Sequence, residues 1–409
     1  MRISLVLAML AGASSASAQR VIVASPTGRS VQQSVALARP GDTVVVSAGV
    51  YAEPTIEIDR PLVLVGRGNA VLDGANATHI LRITASDVTV RDLTLRNVQL
   101  SHVDDRAAIH VGEAQRCRLE NNTIANAFFG IYLARTSGCV VRGNVLTGRS
   151  ARSEGDAGNG IHLWTAQDVE ISDNRITGHR DGIYLEFANR VRALRNVSER
   201  NLRYGLHFMF SDDCAYEGNT FHANQAGVAV MYTKRVIMTD NRFEGNWGAA
   251  AYGLLLKEIY DSQITGNLFA RNSTALLADG ATRLQARDNQ FTDNGWAVKL
   301  ISSTEDAQFT GNVFAGNSFD VATNGRRSNN VLRGNYWDAY EGYDLDRDGI
   351  GDVPHRPVRL FSLLVERSEP TMIMLRSPLI ALLDRAERLL PSLTPETVMD
   401  SAPLMRRPR

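Results

Sequence analysis

Val141-Arg142-Gly143-Asn144-Val145 recurs along the chain as Ile264-Thr265-Gly266-Asn267-Leu268 and again as Phe309-Thr310-Gly311-Asn312-Val313. Its asparagine belongs to a series, Asn122, Asn144, Asn174, Asn196, Asn219, Asn241, Asn267, Asn289, Asn312 and Asn335, whose members are mostly 22 or 23 residues apart. A fixed period of that size marks a stacked solenoid. A second track begins at Gly130-Ile131-Tyr132-Leu133, Gly160-Ile161-His162-Leu163, Gly182-Ile183-Tyr184-Leu185 and Gly205-Leu206-His207-Phe208. Both tracks are short, alternate apolar with polar residues and are bounded by Gly, Asn or Asp, so each turn holds strands, not helices. The expected fold is all-β: a right-handed parallel β-helix of about 22 residues per turn.

The other repeated positions assign an interior. Two residues beyond the asparagine the later turns carry Phe221, Phe243, Phe269, Phe291, Phe314 and Trp337. On rungs about 4.8 Å apart these rings stack into an internal column. Cys117, Cys139 and Cys214 each fall five residues before a repeat asparagine, where other turns carry Val169, Val191 or Leu284. That is a core position, so buried free thiols are expected, although Cys117 and Cys139 on adjacent rungs are near enough to bridge. Two rungs are long. Asn144 to Asn174 spans 30 residues with its excess in Gly148–Asp156, and Asn241 to Asn267 spans 26 with its excess around Asn246–Ala251. Such insertions are expected as surface loops, with harmless drift in repeat length as the alternative.

The formal net charge is zero over 409 residues, which gives no bulk attraction for nucleic acid or an anionic membrane. Arg2, the apolar stretch Ile3–Ala11 and Ala16-Ser17-Ala18 read as a signal peptide over residues 1–18, too short to span a bilayer. An exported protein follows. Residues 19–365 are expected to form the β-helix, with a helix at Ser30–Ala38 covering its lower edge. Residues 366–409 are expected to be a helical tail. Ser377-Pro378 there reads as an N-cap, and Leu379, Ile380, Leu382, Leu383, Ala386, Leu389 and Leu390 form an apolar stripe. The stripe must cap the coil or dock on another protein.

Alternation along the second track turns His110, Tyr132, His162, Tyr184 and His207 outward, followed two residues on by Trp164, Glu186, Met209, Met231 and Lys257. Met209 and Met231 become rung neighbours, with His207 on the strand of Met209. One imidazole and two thioethers form a soft donor set suited to Cu(I); packing beneath a loop is the alternative. His110 and His162 stand two rungs from other histidines and are expected to be solvated. Further on, Asp344, Asp346, Asp348, Ile350 and Asp352 take the positions of an oxygen-lined calcium loop, with Gly349 sixth and His355 in place of the twelfth-position glutamate. A plain Asp-Gly turn competes with that reading. Carbohydrate lyase or hydrolase chemistry would need clustered carboxylates. Only Asp104-Asp105 and Asp212-Asp213 are adjacent aspartate pairs, and neither carries a companion motif.

The carboxy-terminal stretch Gly334-Asn335-Tyr336-Trp337-Asp338, Gly342-Tyr343-Asp344-Leu345-Asp346 and Asp348-Gly349-Ile350-Gly351-Asp352-Val353-Pro354 resembles the NosD family, as does Pro40-Gly41-Asp42-Thr43-Val44-Val45-Val46 near the start. The resemblance implies a periplasmic accessory protein for copper-centre assembly of nitrous-oxide reductase, and no enzyme. It implies copper as transient cargo and work with the ATPase NosF and membrane protein NosY as an ABC-type complex. The copper chaperone NosL and the reductase NosZ would be further partners. The apolar tail would then grip the membrane subunit, leaving the protein peripherally attached to the inner membrane. The alternatives are a β-helix lyase or hydrolase, and a purely structural adaptor.

Overall fold

The computed structural model describes residues 19–101, 103–150, 153–248, 251–301, 303–324, 329–367, 377, 382–383, 385 and 398–408. The signal-peptide segment 1–18 and most of the apolar stripe after Ser377 lie outside them. The described chain winds into three parallel sheets of 14, 13 and 12 strands, in which the strands of successive turns are neighbours. Register follows the repeat: Val141 is flanked by Leu119 on one side and Ile171 on the other. The parallel β-helix expected from the period is the fold.

Each turn must change direction at its corners, where backbone groups lose their sheet partners. The asparagine ladder supplies them. The backbone N–H of Asn267 donates to Asn289 Oδ1 at 3.0 Å, and its Nδ2 donates to the same oxygen at 3.0 Å and to the Met238 carbonyl at 2.9 Å. Its own Oδ1 accepts the corresponding pair from Asn241. Every amide is fully used in a buried setting, where an unpaired polar group would cost about 1–3 kcal/mol. The residue before it holds a positive φ, as Gly266 does and as Asp240 and Asp288 do in neighbouring turns. Gly266 has φ of 68°, and a Cβ there would lie 2.4 Å from Asp240 Oδ1.

A second ladder, not foreseen in the sequence, runs through Asn201, Asn224, Asn246, Asn272, Asn294 and Asn317 with the same bonding. Asn246 is therefore fully buried, where a loop residue was expected. In the other long rung Glu154–Asp156 forms a short 3-10 turn. The column from Phe221 to Trp337 is the core element expected, with ring centroids 4.0 to 5.5 Å apart. One expectation fails: Cys117 and Cys139 are joined by a disulfide. Equivalent inward positions on adjacent rungs place their Cα atoms 4.6 Å apart, within bridging range. Cys214 stays free, and burial pushes its thiol up to about 12.

Both ends of the coil are covered. Helix α1, Val31–Leu37, is capped by Ser30 with Gln33 completing the capping box, and buries Val31 and Val35 on the lowest turn. The Glu53 carboxylate accepts the N–H groups of Val31 and Gln32, where the helix end favours negative charge. At the upper end α2, Leu360–Arg367, seats Phe361 and Val365 against Trp296 and Phe319, with Leu383 packed on the same cluster.

The last residues correct the expectation of a helical tail throughout 366–409. Residues 398–408 are not helical; Asp400 and Leu404 bridge the coil beside Leu332 and Tyr336. Asp400 takes the place of the next ladder asparagine. Its Oδ2 accepts Asn335 N, Asn335 Nδ2 and Trp337 Nε1 at 2.9 to 3.0 Å, and its Oδ1 accepts Gly334 N at 3.1 Å. The ladder's final donors need an acceptor, and a carboxylate has room for all of them.

Replacing Asp400 by Ala should lower stability by about 3–5 kcal/mol, read from the denaturant midpoint. Asp400→Asn retains one ladder oxygen and should cost clearly less; equal losses would contradict the clasp. Thiol titration of the unfolded, unreduced protein should find one reactive thiol per chain, from Cys214. Three would contradict the bridge.

Candidate metal site on the third sheet

The 12-stranded sheet turns the proposed ligands outward. Register sets His110, Tyr132, His162, Tyr184 and His207 in one row and Trp164, Glu186, Met209, Met231 and Lys257 in the next. Met209 and Met231 are direct cross-strand partners, as expected, and both are half-buried. The first row sets ring against ring with centroids 4.6 to 5.3 Å apart, stacked at His110–Tyr132 and Tyr184–His207 and tilted or edge-on around His162. It is not a solvated face. His162 and His207 are 7% and 6% exposed, and Leu100, Phe128, Phe129 and Trp164 gather around Tyr132. His162, expected to meet water, is buried instead, and His110 is half-buried against His79 on the adjacent rung, with ring centroids 4.8 Å apart; burial pushes His110 down to about 4.

His207 is held from behind. Asp181 is fully buried one rung below, and its carboxylate takes a two-pronged contact from Arg203. His207 Nδ1 lies 3.5 Å from Asp181 Oδ2. Burial alone would raise Asp181, but the Arg203 and His207 contacts outweigh it and hold the carboxyl at about 2. Arg203 Nη2 stands equally far from Nδ1, at 3.5 Å; in the tautomer whose Nδ1–H is directed at the carboxylate, the lone pair of Nε2 is free. Nε2 is enclosed and has no hydrogen-bond partner. A carboxylate behind Nδ1 and a free Nε2 are what a metal-ligating imidazole requires, because the carboxylate fixes the tautomer and raises basicity. Sequence reasoning missed Asp181 and Arg203. Their separation of 22 residues, one rung, is the signal they carry.

The acidic turn is partly as expected. Asp344, Asp346 and Asp348 each bring one oxygen to within 4.8 Å of the others. Asp344 Oδ1 is enclosed and without a partner. Asp352 shapes the loop, accepting Leu345 N at 2.7 Å, and Ile350 bridges to Leu404. His355 lies against the Trp337 and Tyr340 rings, so the twelfth position faces the core. The aspartate pairs weighed for sugar chemistry are engaged: Asp104 with Arg106, Asp212 with Lys234 and Asp213 with Arg235.

With these positions fixed, the likeness to known proteins can be placed on them. The chain is 32% identical over 397 residues to the "Probable ABC transporter binding protein NosD" of Pseudomonas aeruginosa, covering 89% of this chain and 88% of that one. The chain belongs to the NosD family. The family model described as "Periplasmic copper-binding protein (NosD)" matches residues 147–342, a span that contains Asp181, Arg203, His207, Met209 and Met231. A right-handed β-helix model matches residues 78–201. The NosD protein of Stutzerimonas stutzeri is 28% identical over 381 residues, covering 88% and 86% of the two chains. Among solved structures, the catalytic domain of an α-1,3-glucanase superposes with a TM-score of 0.59 at 12% identity, covering 78% of this chain and 69% of its own. The A-module of the mannuronan C-5 epimerase AlgE6 of Azotobacter vinelandii gives 0.53 at 15%, covering 72% and 90%. Those likenesses show the shared β-helix alone. Among the described residues of this NosD-family chain no helix is long and apolar enough to cross a membrane.

Proposed function

We propose that this chain is a periplasmic copper-binding subunit that relays Cu(I) during assembly of the copper centres of nitrous-oxide reductase. The observation that carries the reading is the enclosed, unpartnered Nε2 of His207, backed by Asp181 and beside the Met209–Met231 pair. Two thioethers and one imidazole favour Cu(I) over hard cations. The family description and the names of the relatives support the same assignment. The protein acts by binding, not by catalysis.

In this reading NosF and NosY supply the ATP-driven membrane complex, NosL delivers copper and apo-NosZ receives it. Segment 368–397 connects α2 to Val398, which is buried on the coil. Within its apolar stripe between Leu379 and Leu390, Leu383 packs on the upper end of the coil, and the remaining members are assigned to NosY. The Asp344, Asp346 and Asp348 turn, with Ile350 and Asp352, is assigned a structural calcium ion, for which the enclosed Asp344 Oδ1 is a fitting donor.

Anaerobic Cu(I) competition titration of the signal-free protein should show tight binding that Met209→Ala/Met231→Ala abolishes. Asp181→Asn should weaken it by roughly 10–100-fold through the imidazole. Unchanged affinity in the double variant removes this site, and equally weak binding in both proteins points to an adaptor. Calcium at about a hundredfold over its Kd should stabilise the fold by about 2.7 kcal/mol. Asp346→Asn should erase that gain in a thermal-unfolding assay; a gain that persists, or none in the native protein, rejects the calcium turn.

A further inference from the structure

One rung before the methionine pair the same two rows hold a different donor set. His162 is 7% exposed, and its Nε2 is enclosed with no hydrogen-bond partner. Its Nδ1 lies 3.4 Å from the side-chain amide of Asn159, which is fully buried and has an unpartnered Oδ1. With that amide turned, Nδ1–H donates to the otherwise unpartnered Oδ1, and the Nε2 lone pair is left free.

Nε2 stands 3.8 Å from Glu186 Oε2. That is too long for a hydrogen bond. It matches two donors sharing one ion, since ligands each about 2.0–2.2 Å from a metal lie roughly 3–4 Å from one another. Glu186 is directly opposed to Met209 in the next strand, so a sulfur donor adjoins the pair. The Glu186 side chain is 31% exposed, which gives an ion an approach from solvent.

Resting on the copper reading of the neighbouring site, we propose that His162 Nε2 and the Glu186 carboxylate form a second metal station for a divalent first-row ion, Cu(II) foremost. The thioether pair selects a soft monovalent ion; nitrogen with oxygen selects a harder divalent one, and Cu(II) binds such donors most tightly among the first-row ions. The sheet thus sets two stations of different softness side by side along one row, Glu186 to Met209 to Met231. No change of oxidation state is needed for either to be filled.

The test uses the signal-free protein carrying Met209→Ala/Met231→Ala, loaded with Cu(II) and read by electron paramagnetic resonance. An axial Cu(II) spectrum with nitrogen coupling is expected, and it should be lost in both His162→Ala and Glu186→Gln versions. Should His162→Ala disturb the fold, Glu186→Gln at its partly exposed position carries the test alone, with circular dichroism confirming structure. No bound Cu(II) in the Met209→Ala/Met231→Ala protein, or a spectrum unchanged by Glu186→Gln, overturns the second station. The sulfur site stands or falls separately, on the Cu(I) titration of the methionine variants.

Discussion

The side-chain amide of asparagine, bonding along the solenoid axis, is the constraint on which the rest of this structure depends. At each asparagine corner of the coil one backbone N–H finds no backbone partner on the next rung, although its neighbours do, as Gly266 N to the Arg287 carbonyl and Leu268 N to the Asn241 carbonyl. Ten asparagines from Asn122 to Asn335 meet that need at one corner, and a second series from Asn201 to Asn317 meets it at another. Because each amide binds the next, the rungs are held in one register. A slip of a single residue would turn every inward side chain outward.

Register is also what builds the site. Side chains 22 or 23 residues apart in the chain become neighbours, so a residue on one turn is supported by the turn below it. Asp181 reaches His207 and Arg203 in this way, and Glu186 meets both His162 and Met209. The β-helix thereby presents a flat array of donors whose spacing is set by backbone hydrogen bonding. Site geometry of this kind survives changes in the loops, because the strands carry it.

The outer surface of the third sheet is divided in use. Part of it is covered by Leu100, Phe128 and Phe129, which pack around Tyr132 of the ring column. In that setting an imidazole nitrogen without a partner is expensive, by about 1–3 kcal/mol. His207 and His162 each leave Nε2 in that state, as do His179 and His355, and the proposed copper stations would give the first two a partner. The upper end is likewise closed by the chain itself, with Asp400 ending the ladder and Trp337 ending the aromatic column.

Periodicity alone determined the fold, the first ladder, the aromatic column and the outward rows, because one residue of each kind per turn leaves a direct trace in the sequence. It also placed Met209 beside Met231. What covers a face leaves no such trace. His110 and His162 lie on an outward track and would meet water but for side chains from other turns, which only the tertiary structure places there. The Asp181 contact, the clasp of Asp400 across 65 residues to Asn335 and the bridging of Cys117 to Cys139 were decided in the same way. Each depends on distances between turns, and those are fixed by stacking, not by the order of residues along one strand.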